Sequence, residues 1–220
     1  MTETGFALHQ MIQIAKMSGL DILYYAVIFI NLIVSIVFKR LWKQYFWLYF
    51  GITVVIEVLI SFKADFVTTR IYNYLDIFCI GYFGYLYFNE LKKSEVIKII
   101  TLISILTGGV FIGFSKTNYS IITGFLYSIF LIFISLFWFY RKISKRNDKD
   151  NIIDLRFFWI SSSLLLWSVF YIFRMFPMYF FVKSDLEFSY LLKTTFQIIT
   201  IISYIIFFKG LLCKDEGTSV

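Results

Sequence analysis

Four ionisable side chains interrupt otherwise apolar runs of this 220-residue chain: Glu57, Asp76, Arg174 and Lys193. A charge surrounded by hydrocarbon costs at least ~2.5 kcal/mol even on the lenient insertion scale, so such residues mark candidate functional sites. Two acids and two bases can neutralise one another, and a guanidinium is suited to bidentate contact with a carboxylate. We therefore expect Arg174 to face inward, where it could pair with Glu57 or Asp76.

The depth of these side chains also points to one site. With a helical rise of ~1.5 Å per residue, all four lie roughly 8 to 10 Å below the same surface. Asn73 precedes Asp76 by three residues, and Gln197 follows Lys193 by four, so each pair shares a helix face. The pattern predicts an outward-facing polar cavity, a ligand-binding site or a buried ion-pair cluster, lined by Glu57, Asn73, Asp76, Arg174, Lys193 and Gln197.

The same charges also have a purely structural interpretation. Lys193 and Arg174 are close enough to the interface for their alkyl stems to lie in lipid while their charged heads reach water. An internal salt bridge can also do no more than fix helix packing. Glu57 and Asp76 weaken this interpretation because their shorter stems reach less far, so both interpretations stay open.

Other reactive residue types form no catalytic or metal-binding pattern. His9 is the only histidine in the sequence, which excludes a di-histidine metal cluster. Cys79 and Cys213 fall on opposite sides of the predicted membrane and lack metal-site spacing. The serines at 161–163 have no accompanying base. We therefore expect no enzymatic activity, no metal and no cofactor.

The elements that carry these residues are long and apolar. The chain is 60% hydrophobic and only 16% charged, against roughly 25% charged residues in soluble domains. Continuous apolar runs of about 17 to 25 residues cross a bilayer as helices, whereas the strands of a membrane β-barrel alternate apolar and polar residues. The sequence predicts an all-α polytopic membrane protein, a bundle of seven transmembrane helices in a single domain over 1–220. The runs are Ile22 to Phe38, Tyr45 to Phe62, Ile71 to Phe88, Ile97 to Phe114, Tyr119 to Tyr140, Phe157 to Phe181 and Phe188 to Phe208.

The distribution of positive charge predicts the orientation of the bundle. The first, third and fifth connections and the C-terminal tail hold 14 of the 21 Lys and Arg residues, against five on the other side. Because basic loops stay in the cytoplasm, we expect the N-terminus outside and the tail at 209–220 in the cytoplasm. The net charge of +7 then reflects topology, and we expect no nucleic-acid partner. Residues 1–20 have apolar side chains at helical spacing, which favours an outer interfacial segment.

Two short motifs resemble those of a known group. The sixth run is entered by Phe-Trp-Ile at 158–160, and the third begins with RIYNYL at 70–75. The chain resembles the small uncharacterised seven-helix inner-membrane proteins common in Bacteroidota, although Leu155 and Arg156 stand where that family has Asn-Pro. The resemblance implies a multi-pass protein of the inner (plasma) membrane and a link to signalling.

Three functions remain compatible with the sequence. The first is a receptor- or sensor-like protein that binds a small ligand in the outward cavity and signals to a separate cytoplasmic partner. The second is an ion or small-solute transporter or channel, against which the inner halves of the helices carry few polar residues. The third is a retinal-binding, rhodopsin-like protein, for which Lys193 lies nearer the surface than a Schiff-base lysine should. Ligand, partner and oligomeric state do not follow from the sequence.

Overall fold

The computed structural model describes residues 19–61, 68–114, 119–144, 151–181 and 186–213. Within these ranges the chain forms seven α-helices and two short 3-10 helices. The 3-10 helices are Lys39–Gln44 and Ile152–Asp154, and the α-helices are α1 (Gly19–Val37), α2 (Phe46–Ser61), α3 (Ile71–Glu90), α4 (Glu95–Phe114), α5 (Ile121–Ser144), α6 (Arg156–Phe181) and α7 (Leu186–Leu212).

Each predicted run coincides with one of these helices, and the ends agree within four residues. Five helices, α1, α4, α5, α6 and α7, contain stretches long and apolar enough to cross a membrane by length and composition. Helix α2 is a shorter apolar helix of 16 residues. Helix α3 has 20 residues but is less apolar, because Asn73, Asp76, Asn89 and Glu90 lie along it. The chain is therefore an all-α bundle with the character of a multi-pass membrane protein.

Six of the described helices form a ring, and α4 lies outside it. Neighbouring contacts run from α1 to α2, α3, α5, α6, α7 and back to α1, with the contact between α2 and α3 the sparsest. Helix α4 packs on α3 and α5. There the backbone of Gly84 approaches Thr101 so closely that any β-carbon would overlap the threonine side chain. Small residues permit such contacts, which hold helices together where lipid removes the hydrophobic drive for association.

The two ends of the bundle are built differently. We call the end where α1, α3, α5 and α7 begin the cavity end, and the end where they finish the closed end. The middle of the ring is filled by aromatic side chains. Phe207 of α7 meets Phe46 at 5.7 Å and Phe50 at 5.3 Å between ring centroids, both edge to face. Together with Phe83, these rings are 1% exposed or less, which gives the closed end a tightly packed interior.

Arg156 at the start of α6 is buried within the closed end, at 1% exposure. Its guanidinium donates to Oε1 of Gln44 at 2.7 Å and to the carbonyl of Cys213 at 3.1 Å. Arg40 donates to the carbonyls of Leu211 and Leu212 at 3.0 and 2.8 Å. Two arginines thus satisfy the exposed carbonyls at the end of α7, where cations are favoured by the helix dipole.

Some sequence predictions fall on residues that the structure does not describe. Residues 1–18 of the predicted interfacial segment, residues 145–150 of the basic loop and residues 214–220 of the predicted tail lie outside the described ranges. Those three expectations, and the single-domain assignment as a whole, stay predictions.

Candidate functional site

A cavity of about 800 Å³ occupies the cavity end of the ring. Its walls come from the first half of α1, α3 and α5, from most of α2 and α7, and from the middle of α6. Alternating helix directions bring these segments to one level, because consecutive helices of the bundle run in opposite senses. Cavities of roughly 300 to 1,000 Å³ hold small organic ligands.

Five of the six predicted site residues line this cavity: Glu57, Asp76, Arg174, Lys193 and Gln197. Four helices contribute them, α2, α3, α6 and α7. The structure therefore brings together residues that are up to 140 positions apart in the sequence. That they bind a ligand stays a prediction.

Asn73, the sixth predicted residue, lies behind the wall and is fully buried. Its Oδ1 accepts from the backbone N–H of Ser120 at 2.9 Å and from the Thr123 hydroxyl at 3.0 Å. Thr123 also lies 3.3 Å from Oδ2 of Asp76. Asn73 thus ties the start of α5 to α3, and it positions the carboxylate of Asp76 through Thr123 without facing the cavity.

Tyrosine hydroxyls surround the carboxylate of Glu57. Tyr24 of α1 and Tyr72 of α3 lie close to it. Among the residues that the structure describes, no Lys or Arg nitrogen lies within 4 Å of Glu57 or of Asp76. The expected ion pair between Arg174 and one of these acids is therefore not formed within that distance.

Arg174 instead stacks on an aromatic ring. Its Cζ atom lies 4.8 Å from the centroid of Phe196 on α7, a cation–π contact. The hydroxyls of Tyr119 and Tyr171, which hydrogen-bond each other, lie near both the guanidinium and the Asp76 carboxylate. The two tyrosines therefore separate charges that the sequence suggested would meet directly.

Lys193 and Gln197 occupy the rim and the wall of the cavity on α7. The Lys193 side chain is exposed even though it contributes to the lining. Gln197 donates from Nε2 to Oδ1 of Asp21 at 2.7 Å and so joins α7 to α1. Asp21 is a third acidic side chain of the cavity that the sequence reading missed, because the predicted first run began one residue later, at Ile22.

Tyrosine is the commonest residue type in the lining of the cavity, which is the main feature missed from the sequence. None of the six predicted site residues is a tyrosine, whereas eight tyrosines face the cavity. They are Tyr24, Tyr25, Tyr49, Tyr72, Tyr119, Tyr127, Tyr171 and Tyr204.

Helical spacing could have revealed these tyrosines. Tyr49 precedes Glu57 by eight residues, with Thr53 halfway between them, so the three share one face of α2. Tyr72 precedes Asp76 by four residues in the same way. By contrast, Tyr74 is two residues from Asp76 and is 55% exposed. Position relative to an inward charge, not residue type alone, distinguishes cavity-lining tyrosines from lipid-facing ones.

Aromatic rings and hydroxyls close the cavity at its inner floor. Tyr49 stacks on Tyr82 at 5.4 Å between centroids, beside Phe207. Ser163 donates to the carbonyl of Ser203 at 2.7 Å and links α6 to α7 at this level. Beneath it, Asn31 of α1 donates to its own helix at Val27 and to the carbonyl of Tyr204. These bonds join helices in the middle of the bundle.

In the part of the chain described here, no three His, Cys, Asp or Glu side chains come close enough to hold a metal ion. Cys79 and Cys213 are both free thiols. The three serines at 161–163 bond to Tyr87, to the carbonyl of Phe158 and to that of Ser203, as expected for helix-packing residues.

Comparison of the chain with protein-family models, with curated proteins and with solved structures finds no match. The resemblance to the Bacteroidota membrane proteins therefore stays a prediction, while the helical bundle with five candidate spans is what the structure supports.

Proposed function

We propose that this chain is a seven-helix receptor- or sensor-like membrane protein that binds a small ligand in the cavity and signals to a separate cytoplasmic partner. The observation that carries the proposal is the cavity itself, about 800 Å³ in volume and lined by Glu57, Asp76 and Arg174. A charged side chain within a membrane costs free energy, so the residues that carry one usually have a function there. A concave, mostly apolar site with a few convergent polar groups is the ordinary form of a ligand pocket.

The proposed orientation places the cavity on the outer side of a bacterial inner membrane and the closed end on its cytoplasmic side. The basic side chains of the described residues support it, because Lys39, Lys43, Lys92, Lys93 and Arg141 all belong to the closed end. Basic residues remain on the cytoplasmic side. In this arrangement α2 and α3 cross the membrane together with the five more apolar helices. A reporter fused within 141–156 should be cytoplasmic, and a periplasmic reporter would invert the orientation.

A receptor fits the floor of the cavity better than a transporter does. Phe46, Phe50 and Phe207 fill the ring below the cavity with edge-to-face contacts. The buried hydroxyl of Ser35 in the inner half bonds within its own helix, to the carbonyl of Leu32. A transporter would have to open this packed layer, whereas a receptor needs only to shift it.

The retinal-binding alternative has little support from the geometry. A Schiff-base lysine is expected in a dry pocket near the middle of its helix, but Lys193 is exposed and lies seven residues from the start of α7. Retinal is nevertheless included among the test ligands below.

The test is a ligand screen on the full-length protein purified in an uncharged detergent. Thermal unfolding is measured with metabolites, lipids, ions and retinal, for the wild type and for Arg174→Gln. The matched control is Arg141→Gln, an arginine of the closed end that lies over Phe137. We expect a ligand that raises the unfolding temperature of the wild type and the control but not of Arg174→Gln. If no compound stabilises the wild type, or if both variants respond alike, the cavity is not the binding site.

Transport is distinguished from sensing by a second measurement on the same ligand. Purified protein in liposomes should bind the ligand without moving it across the bilayer. Ligand-dependent flux that requires Glu57 or Asp76 would favour the transporter.

A further inference from the structure

We propose that the ligand of this cavity is an organic ammonium compound with an apolar or aromatic body, an inference that rests on the proposed ligand-binding function. The charge of the cavity is its first basis. Glu57 and Asp76 have no cationic partner within 4 Å among the described residues. Arg174 stacks on Phe196, and Lys193 is exposed to solvent. The inner cavity thus presents carboxylates that form no direct ion pair among the described residues.

The kind of cation follows from what surrounds these carboxylates. A bound metal ion requires several ligating side chains, and the described residues hold no group of three that could supply them. Tyrosine rings are the dominant neighbours, with Tyr24 and Tyr72 beside Glu57 and with Tyr119, Tyr127 and Tyr171 near Asp76. Carboxylates combined with aromatic faces recognise alkylammonium groups through charge and cation–π attraction.

The aromatic side chains of the deeper walls indicate the shape of the ligand beyond its ammonium group. Trp167 stacks on Tyr171 at 5.1 Å and contacts Phe196 at 5.9 Å, so α6 and α7 present a broad aromatic surface. This surface fits a flat apolar body attached to the ammonium group.

An unpartnered hydroxyl at the floor is the second, independent observation. Ser203 lines the cavity and is 3% exposed, yet its Oγ has no hydrogen-bond partner among the described residues. Buried polar groups are normally paired, so this hydroxyl offers a bound group a hydrogen-bonding partner at the floor. A ligand with an N–H or hydroxyl at the end opposite its ammonium satisfies it.

The experiment uses three probes that share one ring system. Tryptamine is the cation, 3-methylindole is neutral, and indole-3-acetate is the anion. Tetramethylammonium and phenethylamine are added as further cations. Binding to the full chain in maltoside micelles is measured by titration calorimetry, and Glu95→Gln provides the control for partitioning into micelles, since Glu95 is exposed on α4.

We expect a cation to bind the wild type and the Glu95→Gln control with equal affinity. Glu57→Gln and Asp76→Asn, which keep the size of each side chain, should each weaken that binding at least ~10-fold, as loss of one partner of a buried charge pair does. The Ser203→Ala variant should weaken tryptamine more than tetramethylammonium, because only tryptamine carries a ring N–H that can reach the floor.

The inference fails if no cation binds, or if both acid variants bind tryptamine as the wild type does. The neutral and anionic probes then show whether the cavity is a ligand-binding site at all. Binding of indole-3-acetate that is lost in Arg174→Gln would keep the cavity as a ligand site and overturn only the cationic class. Absence of binding by every probe here and by every compound of the wider screen would overturn both.

Discussion

The two ends of the bundle use the same residue types for different purposes. At the closed end Arg156 is buried, and its guanidinium is matched by an amide oxygen and a main-chain carbonyl. At the cavity end Arg174 stacks on Phe196 at the edge of an open volume of about 800 Å³. An arginine in an apolar helix is therefore not in itself evidence of a functional site. What matters is whether its surroundings enclose it, as at Arg156, or leave room for another molecule, as at Arg174.

The largest effect should come from removing the closed-end arginine. Arg156→Ala leaves the Gln44 and Cys213 oxygens without their charged donor, so we expect a loss of about 3 kcal/mol in the free energy of unfolding. Arg174→Ala should cost less, because Arg174 lies at the edge of the cavity, where its cation–π contact with Phe196 is worth about 1 kcal/mol. Denaturant titration of the purified protein measures both. Equal losses at the two positions would break the distinction between the ends.

A smaller effect on stability is expected at Gly124, where α5 approaches the tyrosines of the cavity wall most closely. A β-carbon at Gly124 of α5 would overlap the hydroxyls of Tyr119 and Tyr171. Gly124→Ala should therefore cost about 2 kcal/mol by overpacking and should reduce ligand binding. Gly109→Ala on α4 is the matched control, because its β-carbon would meet no atom within 4 Å. An unaltered Gly124→Ala protein would contradict the described contact between α5 and α6.

Neutralising the cavity acids should change stability in the opposite direction. Glu57→Gln and Asp76→Asn keep the shape of the wall but remove a buried charge that has no cationic partner within 4 Å among the described residues. We expect each ligand-free variant to be more stable by about 1 kcal/mol, as is common when a functional site is relieved of an unfavourable charge. A loss of stability in both would indicate that the acids mainly hold helices together.

The smallest effect should be at the rim. Lys193 is exposed at the cavity end, so Lys193→Gln should change the free energy of unfolding by less than about 0.5 kcal/mol. Thermal unfolding beside the wild type is sufficient to measure it. A larger loss would place the lysine in a buried interaction and would revive a role for it inside the cavity.

Much of the architecture could be predicted from the sequence, because an apolar run of membrane length has few alternatives to a helix. All seven runs coincide with helices, and the depth of the inward charges led to one cavity for five of the six expected residues. The missed features depend on side-chain direction. Arg156 directly precedes the predicted sixth run and so falls among the basic residues of the fifth connection, whereas the chain buries it against the end of α7.

The tyrosine lining shows the same limit. In a membrane helix a tyrosine is stable at the interface or inside the bundle, so its type does not reveal its direction. Tyr72 and Tyr74 are two residues apart, yet the first faces the cavity and the second faces outward. Only the position around the helix, relative to an inward-facing charge, distinguishes the two tyrosines. Using that position requires knowing which charges face inward.

Cysteine accessibility tests the central claim, an outward cavity that holds a cation, most directly. In a background of Cys79→Ser and Cys213→Ser, Thr53→Cys introduces a thiol into the cavity wall, and Ser135→Cys introduces one buried at the closed end. Intact cells are treated with a small membrane-impermeant thiol reagent, with and without tryptamine. We predict that Thr53→Cys is labelled and that tryptamine slows this labelling, while Ser135→Cys is not labelled. Labelling of neither thiol, or labelling of Thr53→Cys that tryptamine leaves unchanged, would contradict the account.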